Sequence, residues 1–363
     1  MKAVLPETMK DLGAQCLLSN AFHLYERPGE DVLDAAGGLG RFMNWDGPTF
    51  TDSGGFQVLS LGAGFKKTLA MDVTGMKSDD VIAEGKERLA FVDEDGVTFK
   101  SPLNGSLHRF SAEISMGIQH KIGADIMFAF DELTTLMNTR GYQERSVERT
   151  FRWAQRCVAE HQRLTESRLG KPYQALYGVV QGANYEDLRR RAASQIASLD
   201  FDGVGIGGAM EKRIIGDICA WICDEMPVNR PRHVLGIAAV DDIFACVENG
   251  GDTFDCVAPA RCGRNGAIFT RDGRYNVKRA EFKTDFGPLE EGCDCYTCEH
   301  YSRAYVDHLL RAREFNGFTL ATIHNERFFV KLLDDIRDSI DGGYFDEFRD
   351  ATLARFYANG SRG

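Results

Sequence analysis

The strongest constraint on this chain is a repeat of short apolar runs, each closing on a glycine-rich or acidic turn. They are Gln15–Leu18, Thr49–Thr51, Asp125–Phe130, Leu176–Val180, Gly203–Ile206, His233–Ile237 and Thr253–Val257. Runs this short, bounded by turn residues, have the length of strands. Between most of them lie stretches of helical period: Ser111–Ile122, Glu144–Arg168, Tyr185–Leu199 and Val240–Asn249. Asn184, ahead of Glu186 and Asp187, supplies a start signal for the third. Strands separated by helices pair in parallel, in an open sheet or a closed barrel. A closed barrel takes eight strands. The sequence offers seven and begins the first only near residue 15. The expected fold is a TIM-type (β/α)8 barrel in which one strand is either overlooked or, being the first, missing at the N-terminus.

Two segments break the repeat. Within about 61–110, Asp93-Glu94-Asp95-Gly96-Val97 reads as a hairpin turn. Residues 267–330 hold a second hairpin-like stretch and a cysteine cluster, and Phe328–Tyr357 reads as helix. The expected organisation is a β/α barrel over 1–266, a zinc-binding subdomain over 267–330, and a helical segment over 331–363 that packs on the barrel. Hydrophobic residues make up 43% and charged residues 27% of the 363. Disorder, collagen-like repeats and a disulfide mini-protein are excluded by that balance. No run approaches the 18 or so apolar residues of a membrane span. Met1–Pro6 lacks the apolar core of a signal peptide, so the expected compartment is the cytoplasm.

Three acidic residues stand where strands stop, which in a β/α barrel is the active-site face. They are Asp52 in Thr51-Asp52-Ser53-Gly54-Gly55-Phe56-Gln57, Asp131 after Phe130, and Asp255 after Phe254. Together they offer a nucleophile, a general acid/base and a ligand anchor; singly, each is equally a cap for the next turn. Gln181-Gly182 and Gly207-Gly208 sit at two more strand ends, with an amide that donates and accepts and bare backbone that a flat heterocycle can approach. Phe56 could stack on such a ring or simply fill the core.

Cys293, Cys295 and Cys298 place three thiols within six residues, a metal-ligand spacing in a reducing compartment. A closed tetrahedral site needs one more donor from His300, His308 or His324. His324, just ahead of the helical pattern at Phe328, is favoured, and zinc held by three cysteines and a histidine would be structural. The net charge is −11, yet Arg261, Arg264, Arg271, Arg274, Lys278, Arg279 and Lys283 face only Asp272 and Glu281 over their stretch. A basic patch of this kind neutralises phosphates, or is a solvated surface.

Taken together, these stretches resemble the tRNA-guanine transglycosylases, also called queuine tRNA-ribosyltransferases, in their bacterial form. The resemblance runs over Asn20–Leu24, Thr51–Gln57, Phe130–Glu132, Val180–Gly182, Ile206–Gly208, Phe254–Val257, Arg261–Gly266 and Cys293–His308. It implies a β/α barrel with a zinc subdomain that exchanges guanine at the tRNA wobble position for a 7-deazaguanine base, in queuosine biosynthesis. It makes Asp255 the nucleophile on the ribose and Asp52 the general acid/base. Asp131 and Gln181 would read the base edge, the Gly208 backbone would assist and Phe56 would stack. Ser53 and Asn20 belong to the same site, with Asn20 supporting Asp255. Arg261 and Arg264 would hold anticodon-loop phosphates, and Cys293, Cys295, Cys298 and His324 would bind Zn2+. A homodimer through the zinc subdomain, where Tyr301, Tyr305 and His308 lie, is implied as well.

The sequence departs from the family pattern at Leu133, where a smaller residue is usual, and at Ala209-Met210-Glu211-Lys212, a shortened loop. The incoming base is expected to be preQ1, with queuine the alternative. A non-catalytic tRNA-binding partner subunit and a relative modifying another nucleic acid are the competing readings. A barrel zinc hydrolase is disfavoured, because it needs histidines at strand ends.

Overall fold

All seven apolar runs are strands of one parallel sheet in the computed structural model, which describes residues 3–55, 90–101 and 104–358. The chain divides into two compact units. The first comprises Cys16–Leu235 and Ala245–Phe254; the second comprises Met1–Gln15, Gly236–Phe244 and Asp255–Gly363.

The first unit runs through β1 (Leu17–Ser19), β2 (Thr49–Thr51), β3 (Ala90–Val92), β4 (Val97–Lys100), β5 (Leu107–Phe110), β6 (Ile126–Phe128), β7 (Ala175–Val180), β8 (Gly203–Ile206), β9 (Arg232–Val234) and β10 (Thr253–Phe254). The parallel sheet has the order β1-β2-β6-β7-β8-β9-β10, with Leu18 opposite Phe50, Met127 opposite Leu176, and Gly205 opposite both Val179 and His233. Among the described residues no ladder joins β1 to β10.

The sheet curls. Phe50 on β2 stacks on His233 of β9 with ring centroids 5.0 Å apart, although the strands stand four steps apart in the sheet. In a flat sheet they would be about 19 Å apart. The concave side is filled by Phe50, Phe128, Tyr177 and Val179, with Leu18, Ile126, Ala175 and Leu235 against them. Each such aromatic contributes roughly 2–3 kcal/mol through burial. Close ring packing also explains the glycines of β8. A Cβ on Gly203 would fall 2.4 Å from the Tyr177 ring, and one on Gly205 2.8 Å from Phe128.

Helix Ala112–Ile122 is capped by Ser111 and ends on Gly123, at φ +71°. Helix Arg140–Ser167 starts earlier than the apolar pattern suggested, because the Thr139 side chain caps it. The expected cap at Asn184 is not made: its side chain accepts from Glu211 N at 3.0 Å, and helix Glu186–Ala197 begins after Tyr185 without a side-chain cap. The hairpin at Asp93–Gly96 is present between β3 and β4, with the Asp93 carboxylate accepting from the backbone of Asp95 and Gly96. β5 pairs with β4 as a third, unforeseen strand.

In the second unit, β11 (Ala267–Thr270) and β12 (Gly273–Asn276) form the other expected hairpin. Around it pack Ile268, Val277, Leu289, Val306, Leu309, Leu310, Leu320 and Ala321, a core separate from that of the sheet. The helix expected over Phe328–Tyr357 is two helices, Phe315–Asp341 and Phe345–Tyr357. The break falls at Gly342-Gly343, where Gly343 takes φ +72°. Residues 267–330 and 331–363 both belong to this unit. Among the described residues no helix is long and apolar enough to cross a membrane.

Candidate active site and metal centre

The turns after β2, β6, β7 and β8 bring Ser53, Asp131, Gln181 and Gly208 together. Gln181 Nε2 donates to Asp131 Oδ2 at 2.6 Å, and Ser53 Oγ donates to Asp131 Oδ1 at 2.9 Å. All three side chains are buried. Gln181 Oε1 has no partner among the described residues, and a Cβ on Gly208 would lie 2.3 Å from it. Gly208, at φ +90°, therefore leaves room for the amide and bares its own backbone beside it. Burial pushes the Asp131 carboxyl above its usual range, while the bonds from Gln181 and Ser53 pull the other way. The result is a carboxylate and an amide at one place: an acceptor able to take two N–H groups, and a donor for a carbonyl.

Helix Ala112–Ile122 holds this arrangement from behind. Ser115 Oγ donates to the Ser53 carbonyl at 2.9 Å. Gln119 donates to the Phe128 carbonyl at 2.9 Å and accepts from Thr51 Oγ1 at 3.0 Å. Glu132, next to Asp131, turns the opposite way. Its fully buried carboxylate pairs with Arg149 at 2.6 Å and accepts from Tyr142 Oη at 2.6 Å. That ties the loop to helix Arg140–Ser167 and leaves Asp131 alone at the cluster.

Asp52 lies at the end of β2 as expected, and two donors from one turn orient its carboxylate. Ala21 N donates to Oδ1 at 2.8 Å, and Asn20 Nδ2 donates to Oδ2. Asn20 also caps helix Ala21–Glu26, accepting from His23 N at 3.0 Å. The Asn20 amide is thus a partner of Asp52. Asp255 directly follows β10 and accepts from Gly236 N at 3.0 Å. Phe56 lies outside the described residues. Arg261 and Arg264 fall on the short helix Ala258–Arg264, where both remain partly exposed.

The thiols of Cys293, Cys295 and Cys298 and Nδ1 of His324 all lie within 4.8 Å of one another. Nδ1 is 3.6 Å from the first two sulfurs and 3.3 Å from the third. Tetrahedral coordination with Zn–S of about 2.3 Å and Zn–N of about 2.0 Å needs a sulfur–nitrogen edge of about 3.5 Å, so the donor set fits a zinc-sized ion. His324 Nε2 donates to the Phe269 carbonyl at 2.7 Å, which leaves Nδ1 with a lone pair facing the sulfurs. Arg327 clamps Asp294, between two of the cysteines, with two bonds of 2.7 and 2.6 Å. His324 lies inside helix Phe315–Asp341, not ahead of a helix as its choice among the three histidines assumed.

Sequence reasoning missed Ser115, Gln119 and Arg189. The only available signal was polar residues on the buried faces of two amphipathic helices. Arg189 sits among Leu188, Ala192 and Ala193, all buried.

The model of the family described as Queuine tRNA-ribosyltransferase matches residues 1–358. A queuine tRNA-ribosyltransferase of Symbiobacterium thermophilum is 44% identical over 361 residues, covering 99% of this chain and 82% of that protein. One from Lysinibacillus sphaericus is 41% identical over 363 residues, covering 99% and 87%. One from Roseiflexus sp. is 43% identical over 359 residues, covering 96% and 88%. With the β/α sheet, the buried Asp131–Gln181 pair and the Cys3His cluster in place, these likenesses establish that the chain belongs to the queuine tRNA-ribosyltransferase family.

Proposed function

We propose that the protein is a tRNA-guanine transglycosylase that replaces guanine at the wobble position of tRNA with a 7-deazaguanine base, preQ1, in queuosine biosynthesis. The observation that carries this reading is the buried Asp131–Gln181 pair beside Gly208. Guanine presents two adjacent N–H donors and a carbonyl on one edge. A carboxylate accepts the first two and an amide N–H or bare backbone N–H donates to the third. 7-Deazaguanines keep that edge, so one pocket serves the leaving and the incoming base.

In this reading a carboxylate oxygen of Asp255 forms a bond to ribose C1′ as the bond from C1′ to guanine N9 breaks, and the departing base takes the electron pair. Asp52 supplies a proton to that base and later removes one from the incoming base. The incoming nitrogen then bonds to C1′ and releases the Asp255 carboxylate. Splitting the exchange in two retains the configuration at C1′, as paired carboxylates do in retaining glycosidases. Ser53 fixes Asp131, Asn20 orients Asp52, and Phe56 stacks on the base. Arg261 and Arg264 take anticodon-loop phosphates. Cys293, Cys295, Cys298 and His324 would hold a structural zinc with no open position for chemistry, in a zinc-binding subdomain over 267–330. Tyr301 stacks on Tyr305 and meets Tyr296 edge-on, with Tyr296 and Tyr305 exposed; with His308 nearby in sequence, this suits a homodimer contact. The compartment would be the cytoplasm.

The test is incorporation of radiolabelled guanine into unmodified tRNA. The wild-type chain should incorporate it, and preQ1 should compete more strongly than queuine. Asp255→Asn should abolish incorporation while retaining tRNA binding. Near-normal exchange by that variant would remove Asp255 as nucleophile, and tRNA binding without exchange by the wild type would leave only a binding subunit.

A further inference from the structure

Helix Glu186–Ala197 buries one residue that the proposed chemistry does not use. Arg189 is 0% exposed. Its Nε donates to the Ala183 carbonyl at 2.8 Å, and Nη1 donates to the carbonyls of Val180 at 3.0 Å and Gly207 at 2.7 Å. Among the described residues it makes no ion pair, and Nη2 has no partner. Burial lowers its pKa to about 10, so it stays a cation at neutral pH. A buried charge without a counter-charge is costly, and its bonds show what it holds. Val180 precedes Gln181, Ala183 closes the turn after Gln181, and Gly207 precedes Gly208.

The same turn is strained. Ala183 is buried in the left-handed region at φ +51°, which alanine avoids. Its carbonyl is the one bonded to Arg189 Nε. The Arg189 side chain lies under the glycines: a Cβ on Gly182 would fall 3.2 Å from Arg189 Cδ, and one on Gly208 3.5 Å from Arg189 Nη2.

We propose that Arg189 is a positioning residue that ties the Gln181 turn to the Gly208 turn and so sets where the Gln181 amide and the Gly208 backbone meet the base. This rests on the reading of Asp131 and Gln181 as the base-recognising pair. Lysine keeps the charge but replaces a planar fork of donors with a single point donor. It cannot reach three carbonyls in the same geometry.

The experiment is steady-state guanine exchange with base and tRNA varied separately, beside thermal melting, for wild type, Arg189→Lys, Arg189→Lys with Ala183→Gly, and Gln181→Ala. Arg189→Lys should raise the base KM about tenfold, the loss of one well-placed hydrogen bond, and move the tRNA KM less, since phosphate contacts supply much of the tRNA's binding. Adding Ala183→Gly should recover part of it, because glycine takes positive φ without strain. Arg189→Gln, which keeps a planar amide, carries the same comparison if the lysine variant does not fold. An arginine that merely supports the fold would lower the melting temperature and the active fraction but not move the base KM. That result, with the base KM raised in Gln181→Ala, overturns the proposal and leaves the base pocket standing. An unmoved base KM in Gln181→Ala overturns both.

Discussion

Gly208→Ala isolates the pocket with a single methyl group. At φ +90° an alanine pays about 1–2 kcal/mol of backbone strain. Its Cβ would also fall 2.3 Å from Gln181 Oε1. A free glutamine would swing aside at little cost. Gln181 is 2% exposed and donates to Asp131 at 2.6 Å, so moving it breaks a bond to a carboxylate, worth about 1.5–3 kcal/mol. If that amide meets the base, the variant loses a comparable interaction with it. At 1.4 kcal/mol per tenfold, the base KM should rise about 10- to 100-fold. The tRNA KM should move less, since its phosphate contacts are untouched although its guanine enters the same pocket. Strain and the lost bond, about 2.5–5 kcal/mol together, should lower the melting temperature by about 5–20 °C, at roughly 2–4 °C per kcal/mol for a large domain. The assay is guanine exchange with each substrate varied, alongside a melt. A variant that melts lower yet binds base as before would refute the reasoning, because it would show the methyl accommodated without disturbing recognition.

Removing one thiolate tests the metal centre: Cys295→Ser should lose bound zinc and soluble protein together, and a stable, fully active, metal-free variant would sink the structural assignment. Asp131→Asn probes the buried carboxyl by pH. Burial raises its folded pKa above the unfolded value of about 3.9. Its stabilising share is therefore complete below that value and is lost as pH rises through the folded pKa. Asparagine escapes that loss, so the melting temperature of the variant relative to wild type should climb from acid to neutral pH, and a constant difference across that range would contradict the buried-charge account.

The strands were legible because their signal is local. A short apolar run stopped by glycine or aspartate needs nothing distant to be recognised, and all seven became neighbours in the sheet. The turns that end them carried Asp52, Asp131, Gln181 and Gly208 for the same reason. Three thiols in six residues were equally plain. β5 was not, because Leu107 is mostly exposed and His108 half-buried, so the strand shows little alternation. The start of helix Phe315–Asp341 was hidden by Gly317, which looks like a breaker. A Cβ there would fall 2.9 Å from Leu309 Cβ and 3.0 Å from Leu310 N, so that glycine is the contact between two helices.

Arg189, Ser115 and Gln119 were illegible for a more general reason. Hydrophobic periodicity finds the buried face of a helix by its apolar residues, and a polar residue on that face registers only as noise. Yet the turns at the strand ends carry carbonyls that need donors where water is excluded. Gly207 and Ala183 receive theirs from Arg189, Ser53 from Ser115, and Phe128 from Gln119. The nearest structure able to reach them is the helix packed behind the sheet. Strand ends that open a pocket by using glycine and bare backbone must therefore take polar support from helix faces that would otherwise be apolar. A polar residue interrupting such a face, one helix away from a Gly-rich strand end, is the signal that would have pointed to all three.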